Sequence, residues 1–479
     1  MTLHNKGLFI FTRDLRTQDN NGLNAALANC QKVYTAFFFT PEQVSSANKF
    51  KSVNAVQFMI ESLKELSDDI GRKGGKLIIL YGKPDDCLQS VITRLNIDAV
   101  FMNKDITKYA NERSESLGRV LAKHEKPLVE VDDYYLSIPG TVTSTSGGIY
   151  LKFTPYYNKV LSLLKSKHIV IDSPATSSKI NRALSSTTVD LSNSKVKELT
   201  LNQAYDKFAS VGGSPMRTIV GGRTNALKMI RSMGDRVSDY EATRNTLSDQ
   251  TTRLSAYTKF GNVSVREVYY AFKDKLDKDA SDSLIRQLFW RDFYAQLLNE
   301  YPNLLFHPMK EQYAKIKWSS SQRLLDAWEN GETGFPIVDA GMREMAATGY
   351  MHNRARLIAG SFLPKTLFIN WQKGEAHFAR SLVDYDPASN NGNWQWVSGT
   401  GSDSQPYFRI LNPFLQSAKY DPDAEYIKKW VPELADVPAK DIHKWDKTHS
   451  EYESVDYPAP IVDYAKQKDK VLEAYRSVS

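Results

Sequence analysis

Along the first 135 residues, short runs of β-branched and aromatic residues alternate with longer stretches whose apolar positions recur at helical spacing. The runs are Leu8–Phe11, Val33–Thr40, Lys76–Tyr81, Ala99–Met102 and Leu128–Val131. In Ser52–Asp69, between the second and third runs, Val56, Met59, Ile60 and Leu63 keep one face apolar. Strand and helix in alternation predict a doubly wound parallel sheet, which offers a ligand crevice at the carboxyl ends of its strands. No glycine-rich dinucleotide fingerprint follows the first run, and Gly71–Lys76 (GRKGGK) lacks the spacing of a phosphate-binding loop. That segment reads as a turn into the third strand.

The pattern then breaks. Pro139–Gly148 and Asp172–Lys195 are dense in Ser, Thr and Asn with scattered Pro, the composition of loop or linker. Beyond residue 200 helical spacing takes over, in Val265–Leu276, Leu284–Asn299, Ile337–Ala347, Arg354–Phe362 and Leu367–Leu382. The expected architecture is an α/β domain built on a doubly wound parallel sheet (1–136), a long linker (137–200) and an all-α domain (201–479).

Composition sharpens this division. All eight Trp lie after residue 285, at positions 290, 318, 328, 371, 394, 396, 430 and 445. The only cysteines are Cys30 and Cys87, too few for a disulfide scaffold, a four-cysteine cluster or a cysteine-type zinc module. The eight His are scattered and form no H-x-x-x-H pair, so no metal site is expected. The apolar run in MTLHNKGLFIFTRDLR is too short for a signal peptide, and no stretch is long enough to span a membrane. The expectation is an intracellular protein, cytoplasmic or nuclear, without membrane attachment. A net charge of +7 permits an anionic partner without requiring one.

Four segments carry candidate chemistry. In Thr348–Leu363 (TGYMHNRARLIAGSFL), read as one helix, Tyr350, Asn353, Leu357 and Gly360 share a face with Arg356 beside it. Such a face suits a flat anionic group, although alone it is better read as a core helix with solvated arginines. Leu382–Trp396 (LVDYDPASNNGNWQW) reads as a polar, turn-rich loop running into an aromatic helix. There Asp384 could neutralise Arg356, because a buried charge needs a partner. Ile285–Pro302 places Leu284, Gln287, Arg291 and Tyr294 on one helical face with Trp290 adjacent. Thr251–Tyr257 (TTRLSAY) sets hydroxyls around Arg253 at a helix start, either a phosphate cradle or an ordinary cap.

In combination and in this order, these segments resemble the photolyase/cryptochrome flavoprotein family. The matching stretches run from FTRDLRTQDNNGL (Phe11–Leu23) through GFPIVDAGMR, GYMHNRAR, DYDPASNNGNWQW and PYFRILNP to YDPDAEYIKKWVPEL (Tyr420–Leu434). The resemblance implies an N-terminal α/β antenna domain and a helical C-terminal domain that binds FAD in a U shape. Matching positions assign Tyr240, Thr251, Thr252, Leu254 and Ser255 to the phosphate and ribityl region. Arg291, Asn353, Arg356, Asp384 and Asp386 would surround the flavin, with Arg356 and Asp384 paired near its ring and Asn390 facing N5. The family's chemistry is light-driven: the excited, reduced flavin gives an electron to a pyrimidine dimer flipped out of DNA, the dimer splits, and the electron returns. Such an enzyme is a deoxyribodipyrimidine photo-lyase acting on UV-damaged DNA. Trp290 and Trp396 match the family's lesion-stacking residues, and Gln287, Asn353 and Asn390 complete the reactive pocket. Arg244, Arg354 and Arg409 match its phosphate rim, while Trp394, Trp371 and Trp318 match its three-tryptophan electron chain.

Two positions depart from the cyclobutane-dimer pattern, Gln287 where Glu is usual and Leu357 where Met is usual. Glutamine can still hydrogen-bond a thymine edge but cannot carry charge or release a proton. Asn353 and Leu357 stand where (6-4) photolyases need two His, Trp396 where the DASH group carries Tyr, and Asn390 is the photolyase choice opposite N5. A cyclobutane-dimer photolyase is therefore expected, with a blue-light receptor cryptochrome or a photolyase of (6-4) or single-strand-preferring specificity as alternatives. Asn111 and Glu112 match a folate-antenna site, leaving methenyltetrahydrofolate, a deazaflavin or no antenna open; their plain reading is an exposed helix start. A monomer without protein partners is assumed.

Overall fold

The four inner strands of the N-terminal sheet carry long apolar runs, which only a sheet covered on both faces can bury. The computed structural model describes residues 3–175, 184–188, 190–248 and 251–478. Its strands are β1 (His4–Phe11), β2 (Cys30–Phe39), β3 (Leu77–Tyr81), β4 (Ala99–Asn103), β5 (Leu128–Val131) and β6 (Lys197–Glu198). They lie in the order β5-β4-β1-β2-β3-β6, parallel except for β6, which pairs antiparallel with β3 at the edge. Leu8 of β1 registers against Tyr34 of β2 on one side and Val100 of β4 on the other. The Val53–Arg72 helix starts where the Ser52 hydroxyl accepts from the Ala55 amide.

The winding reverses between β1 and β4, and polar side chains are sealed in at that point. Asn103 Nδ2 donates to Asp14 Oδ2 (2.6 Å) and Asn20 Oδ1 (2.9 Å), while the Gly22 amide donates to Asn103 Oδ1 (2.9 Å). A Cβ at Gly22 would stand 2.5 Å from that oxygen, so this close approach requires glycine. Burial pushes the Asp14 carboxyl up to about 6.

The chain forms two compact units, and their division does not fall at residue 201. The first comprises 1–213, 219–238 and 252–302; the second comprises 214–218, 239–251 and 303–479. Residues 252–302 join the first unit because buried charges fasten them to it. Arg266 reaches Asp19 (2.9 Å) and Asp133 (2.8 Å), and Asp133 also binds Arg16 (2.6 Å). Burial alone would raise the Asp133 carboxyl, but Arg16 and Arg266 hold it below its ordinary value. The stretch expected as linker also contains structure, the Phe153–Lys165 helix and β6. Of the loop expected over Asp172–Lys195, residues 176–183 and 189 lie outside the described residues.

The second unit is helical around a large apolar core, in which Trp328, Phe335, Met342, Ile358, Phe362, Trp371 and Trp394 are all buried, with a smaller cluster around Tyr313, Phe368 and Tyr475. Thr348–Leu363 is not one helix. Pro336–Thr348 ends at Gly349, whose φ of 71° is the left-handed cap that favours glycine, and Asn353–Lys365 restarts behind His352. The His352 ring accepts from the Arg354 amide at 3.1 Å. Tyr350 therefore sits in the connection and does not share a helical face with Asn353. Likewise Leu367–Leu382 becomes helical only at Trp371, capped by Asn370.

Candidate functional site

In the second unit, the restart at Asn353 fixes where Arg356 points. Its Nη1 and Nη2 meet Asp384 Oδ1 (3.1 Å) and Oδ2 (2.9 Å), and its Nε donates to the Met351 carbonyl at 2.8 Å. This two-point pairing holds guanidinium and carboxylate in one plane. Burial alone would lower the arginine, but Asp384 and Tyr350 carry it above its ordinary value. The Tyr350 ring lies 5.2 Å from the guanidinium, and its hydroxyl is 3.3 Å from Thr251 Oγ1. Thr251, Tyr350, Arg356 and Asp384 thus form one connected set. Asn353 is exposed at the first position of its helix.

Asp386 caps the Pro387–Ser398 helix by accepting from the Ser389 amide at 3.0 Å. Ser389, Asn390, Asn391 and Gly392 are therefore helical, not the loop expected from their composition; Pro387 in the first turn and the Asp386 cap start the helix early. Asn390 Nδ2 donates to the Glu375 carbonyl (3.4 Å), and Asn391 Nδ2 to Glu375 Oε1 (3.1 Å). Burial pushes the Glu375 carboxyl up to about 8, with the Asn391 bond opposing. Glu375 and Asn391 do not stand out in sequence as a pair, since they lie on different helices.

Trp394 is buried against Phe378 (ring centroids 4.9 Å) and Trp328 (6.1 Å). Any side chain at Gly374 would collide with its ring. Trp371 is buried in the same core and Trp318 packs against it, half-buried, with Phe368 at 5.3 Å. Trp396 follows Trp394 on the same helix and is half-buried, and Leu357 packs against that core as well. Tyr240 is partly buried, and burial raises its hydroxyl. Arg354 stacks on Tyr420 (4.3 Å) and donates to Asn245 Oδ1. Burial and the positive charge of Arg244 lower it, with Tyr420 opposing, so the two cations are neighbours. Arg244 also pairs with Glu241 at 3.3 Å, while Arg409 is exposed beyond Pro406.

In the first unit, Gln287, Trp290 and Arg291 lie on the Lys278–Glu300 helix. Gln287 is exposed, whereas Leu284 and Tyr294 are buried, so the face expected from spacing is half core and half surface. Arg291 Nη1 donates to the Tyr134 carbonyl at 2.6 Å, and its guanidinium lies 4.8 Å from the Tyr135 ring. Next to it Asp292, fully buried, accepts from the Leu136 (2.8 Å) and Ser137 (2.9 Å) amides. Burial pushes that carboxyl up to about 6. Thr252 and Arg253 lie in an irregular stretch, Arg253 in the left-handed region at φ 51°, ahead of buried Leu254 and the short Ser255–Lys259 helix. Asn111 and Glu112 are exposed near the start of the Lys108–Ala122 helix.

A family model described as DNA photolyase matches residues 8–176, and one described as the FAD binding domain of DNA photolyase matches 284–477. The chain is 34% identical to the deoxyribodipyrimidine photo-lyase of Alkalihalophilus pseudofirmus over 97% of each sequence. It is 32% identical to that of Escherichia coli over 100% of this chain and 99% of the relative. Among solved structures, the archaeal photolyase from Sulfolobus tokodaii with two FAD molecules is 35% identical, with a TM-score of 0.84 covering 99% of this chain and all (100%) of that one. The Synechocystis cryptochrome is 25% identical, with a TM-score of 0.87 over 100% of both chains.

Proposed function

Because this chain belongs to the DNA photolyase family, we propose that the residues above divide the work of light-driven DNA repair as follows. The protein is an FAD-dependent lyase that splits pyrimidine dimers, as its near-full-length identity to deoxyribodipyrimidine photo-lyases supports. That identity is the observation that carries the reading.

The donor set of the second unit fits a flavin. A coplanar guanidinium–carboxylate pair suits the polar edge of a flat heterocycle, and an amide whose Nδ2 engages a backbone carbonyl keeps its oxygen as an acceptor for an N–H donor. In this unit Tyr240, Thr251, Asn353, Arg356, Asp384, Asp386 and Asn390 would hold FAD, and in the first unit Thr252, Leu254, Ser255 and Arg291 carry the corresponding assignments. When bound and reduced, FAD supplies the photoexcited electron donor; the protein supplies position and electrostatics.

Trp290 and Gln287 in the first unit, and Asn353 and Trp396 in the second, are the groups we assign to the extruded dimer. Trp394, Trp371 and Trp318 are assigned to electron relay, and Arg244, Arg354 and Arg409 to phosphates around the lesion, contacts that position without reading sequence. Extrusion is easiest for a damaged, poorly paired base, which favours the lesion before any base is read. Gln287 keeps a hydrogen bond to the thymine edge but adds no charge. Asn111 and Glu112 are kept as contacts for an antenna chromophore, and the protein is taken to act as a monomer on damaged DNA. Among the described residues, no helix is long and apolar enough to cross a membrane.

The test is direct. Reduced protein is illuminated with thymine-dimer DNA, single- and double-stranded, and restored thymine is measured. Light-dependent restoration is expected; its absence on both substrates defeats the proposal. Repair of (6-4) lesions instead would show that Gln287 and Leu357 redirect the pocket.

A further inference from the structure

The stretch between Tyr134 and Tyr157 grips one face of the Lys278–Glu300 helix residue by residue. The tightest ring pair in the first unit is Phe153 on Trp290, with centroids 3.7 Å apart and planes within 7°. Phe153 is fully buried at the start of its helix, and Tyr157, one turn on, stacks on it at 5.5 Å and 11°. Phe293 presents its edge to both members of the pair, 5.8 Å from Phe153 and 5.7 Å from Trp290. The Arg286 guanidinium lies 5.4 Å from the Phe153 ring and 5.5 Å from that of Tyr157. The same helix is also tied at Asp292, which takes the Leu136 and Ser137 amides, and Ser137 Oγ in turn shares a hydrogen with the Tyr156 hydroxyl at 2.6 Å. Neither Phe153 nor Tyr157 can slide without disturbing this clasp.

We propose that Phe153 is a positioning residue for lesion recognition, holding the indole plane of Trp290 so that a flipped pyrimidine dimer can stack on its other face. The proposal rests on the reading of Trp290 as a lesion-stacking wall. Phe153 stacks on the half-buried indole while Phe293 and Tyr294 (5.6 Å) flank it, so its plane is set before a planar ligand arrives. A Trp without this backing would have to give up rotamer freedom when the lesion binds, and affinity falls by that loss. Stacking tolerates any flat base, so the effect falls on discrimination between extruded and stacked DNA, not on sequence preference.

The experiment uses full-length protein carrying FAD and measures Kd in the dark for a thymine-dimer duplex and for the same duplex undamaged. Phe153→Leu keeps similar volume but removes the plane. Its preference for damaged over undamaged DNA is expected to fall roughly tenfold, with undamaged-DNA affinity, FAD content and photoreduction rate near wild type. Phe153→Met serves as the second variant if Phe153→Leu fails to fold or to hold FAD, since a thioether packs irregular space without a flat face. Unchanged preference in a folded, FAD-loaded variant overturns the proposal. Trp290→Ala is measured alongside. If it binds dimer DNA as tightly as wild type, the lesion-wall reading fails and takes the proposal with it. If Trp290→Ala loses preference while Phe153→Leu keeps it, only the positioning role of Phe153 is refuted.

Discussion

At the scale of single residues, Trp394 owes its place to an absence opposite it. Gly374 leaves room for the indole against Phe378, and any larger side chain there would displace it. If this ring is the first donor in the relay, Trp394→Phe forces electrons to cross a longer gap. Photoreduction of oxidised FAD should slow by more than roughly tenfold, a barrier change of about 1.4 kcal/mol or greater. Repair by pre-reduced enzyme should be nearly unaffected, as flash absorbance and a repair assay run in parallel will show. Equal loss of both removes Trp394 from the relay. The residues that came out of sequence were those packed closely in chain order, such as Asp384, Asp386 and Asn390. Asp292, Glu375 and Phe153 did not, because what marks each is a partner distant in sequence or a burial that one letter does not reveal. Phe153 lay in a stretch that looked like linker, and its role depends on a ring 137 positions away, from Phe153 to Trp290.

At the scale of elements, helix and strand cores were readable from period, while their ends were set by caps that period does not encode. Gly349 and His352 split one apparent helix into two, and Asp386 with Pro387 extended another into what looked like a loop. The Asn353–Lys365 helix also carries an unusual load at its last residue. Lys365 is buried, donates to the Tyr407 carbonyl at 2.8 Å and lies 4.3 Å from the Tyr475 ring. Burial, with Lys310 nearby adding to it, pushes its ammonium down to about 7 from 10.5. Between those two values the unfolded chain holds the proton that the folded chain has released, so raising pH through this window favours folding. Melting curves from pH 6 to 10 should therefore show wild type gaining on Lys365→Met by a few °C, roughly the shift expected from a change on the order of 1 kcal/mol. Parallel curves for the two proteins would mean that Lys365 does not titrate in this window.

At the scale of the whole molecule, the parallel sheet and the helical region were legible because each keeps a single period over many residues. The division into compact units was not, because it depends on buried contacts such as Arg266 with Asp19 and Asp133, whose partners are far apart in sequence. Charge behaves in the same way. The excess of 62 Lys and Arg over 55 Asp and Glu gives only a total, +7, whereas DNA affinity depends on which cations reach phosphates. Arg354, braced by Tyr420 and Asn245 beside Arg244, is one such candidate. Arg354→Ala should weaken binding to damaged DNA of any sequence and reduce the slope of log K against log salt by about 1. An unchanged slope across a salt titration excludes a phosphate contact.

The segment between the Ser137 clasp and the Phe153 stack also makes a mount for a probe. Its exposed tip, residues 145–148, is closed by the Ser144 amide donating to the Gly148 carbonyl at 2.8 Å, and both of its feet are held against the helix that bears Trp290. The two native thiols, Cys30 and Cys87, are buried, and burial pushes them up to about 11 and about 12, so neither is a ready nucleophile. A single Ser146→Cys change would give thiol-directed dyes one address on the molecule. Light emitted from that position would report motion of the clasp during a repair cycle.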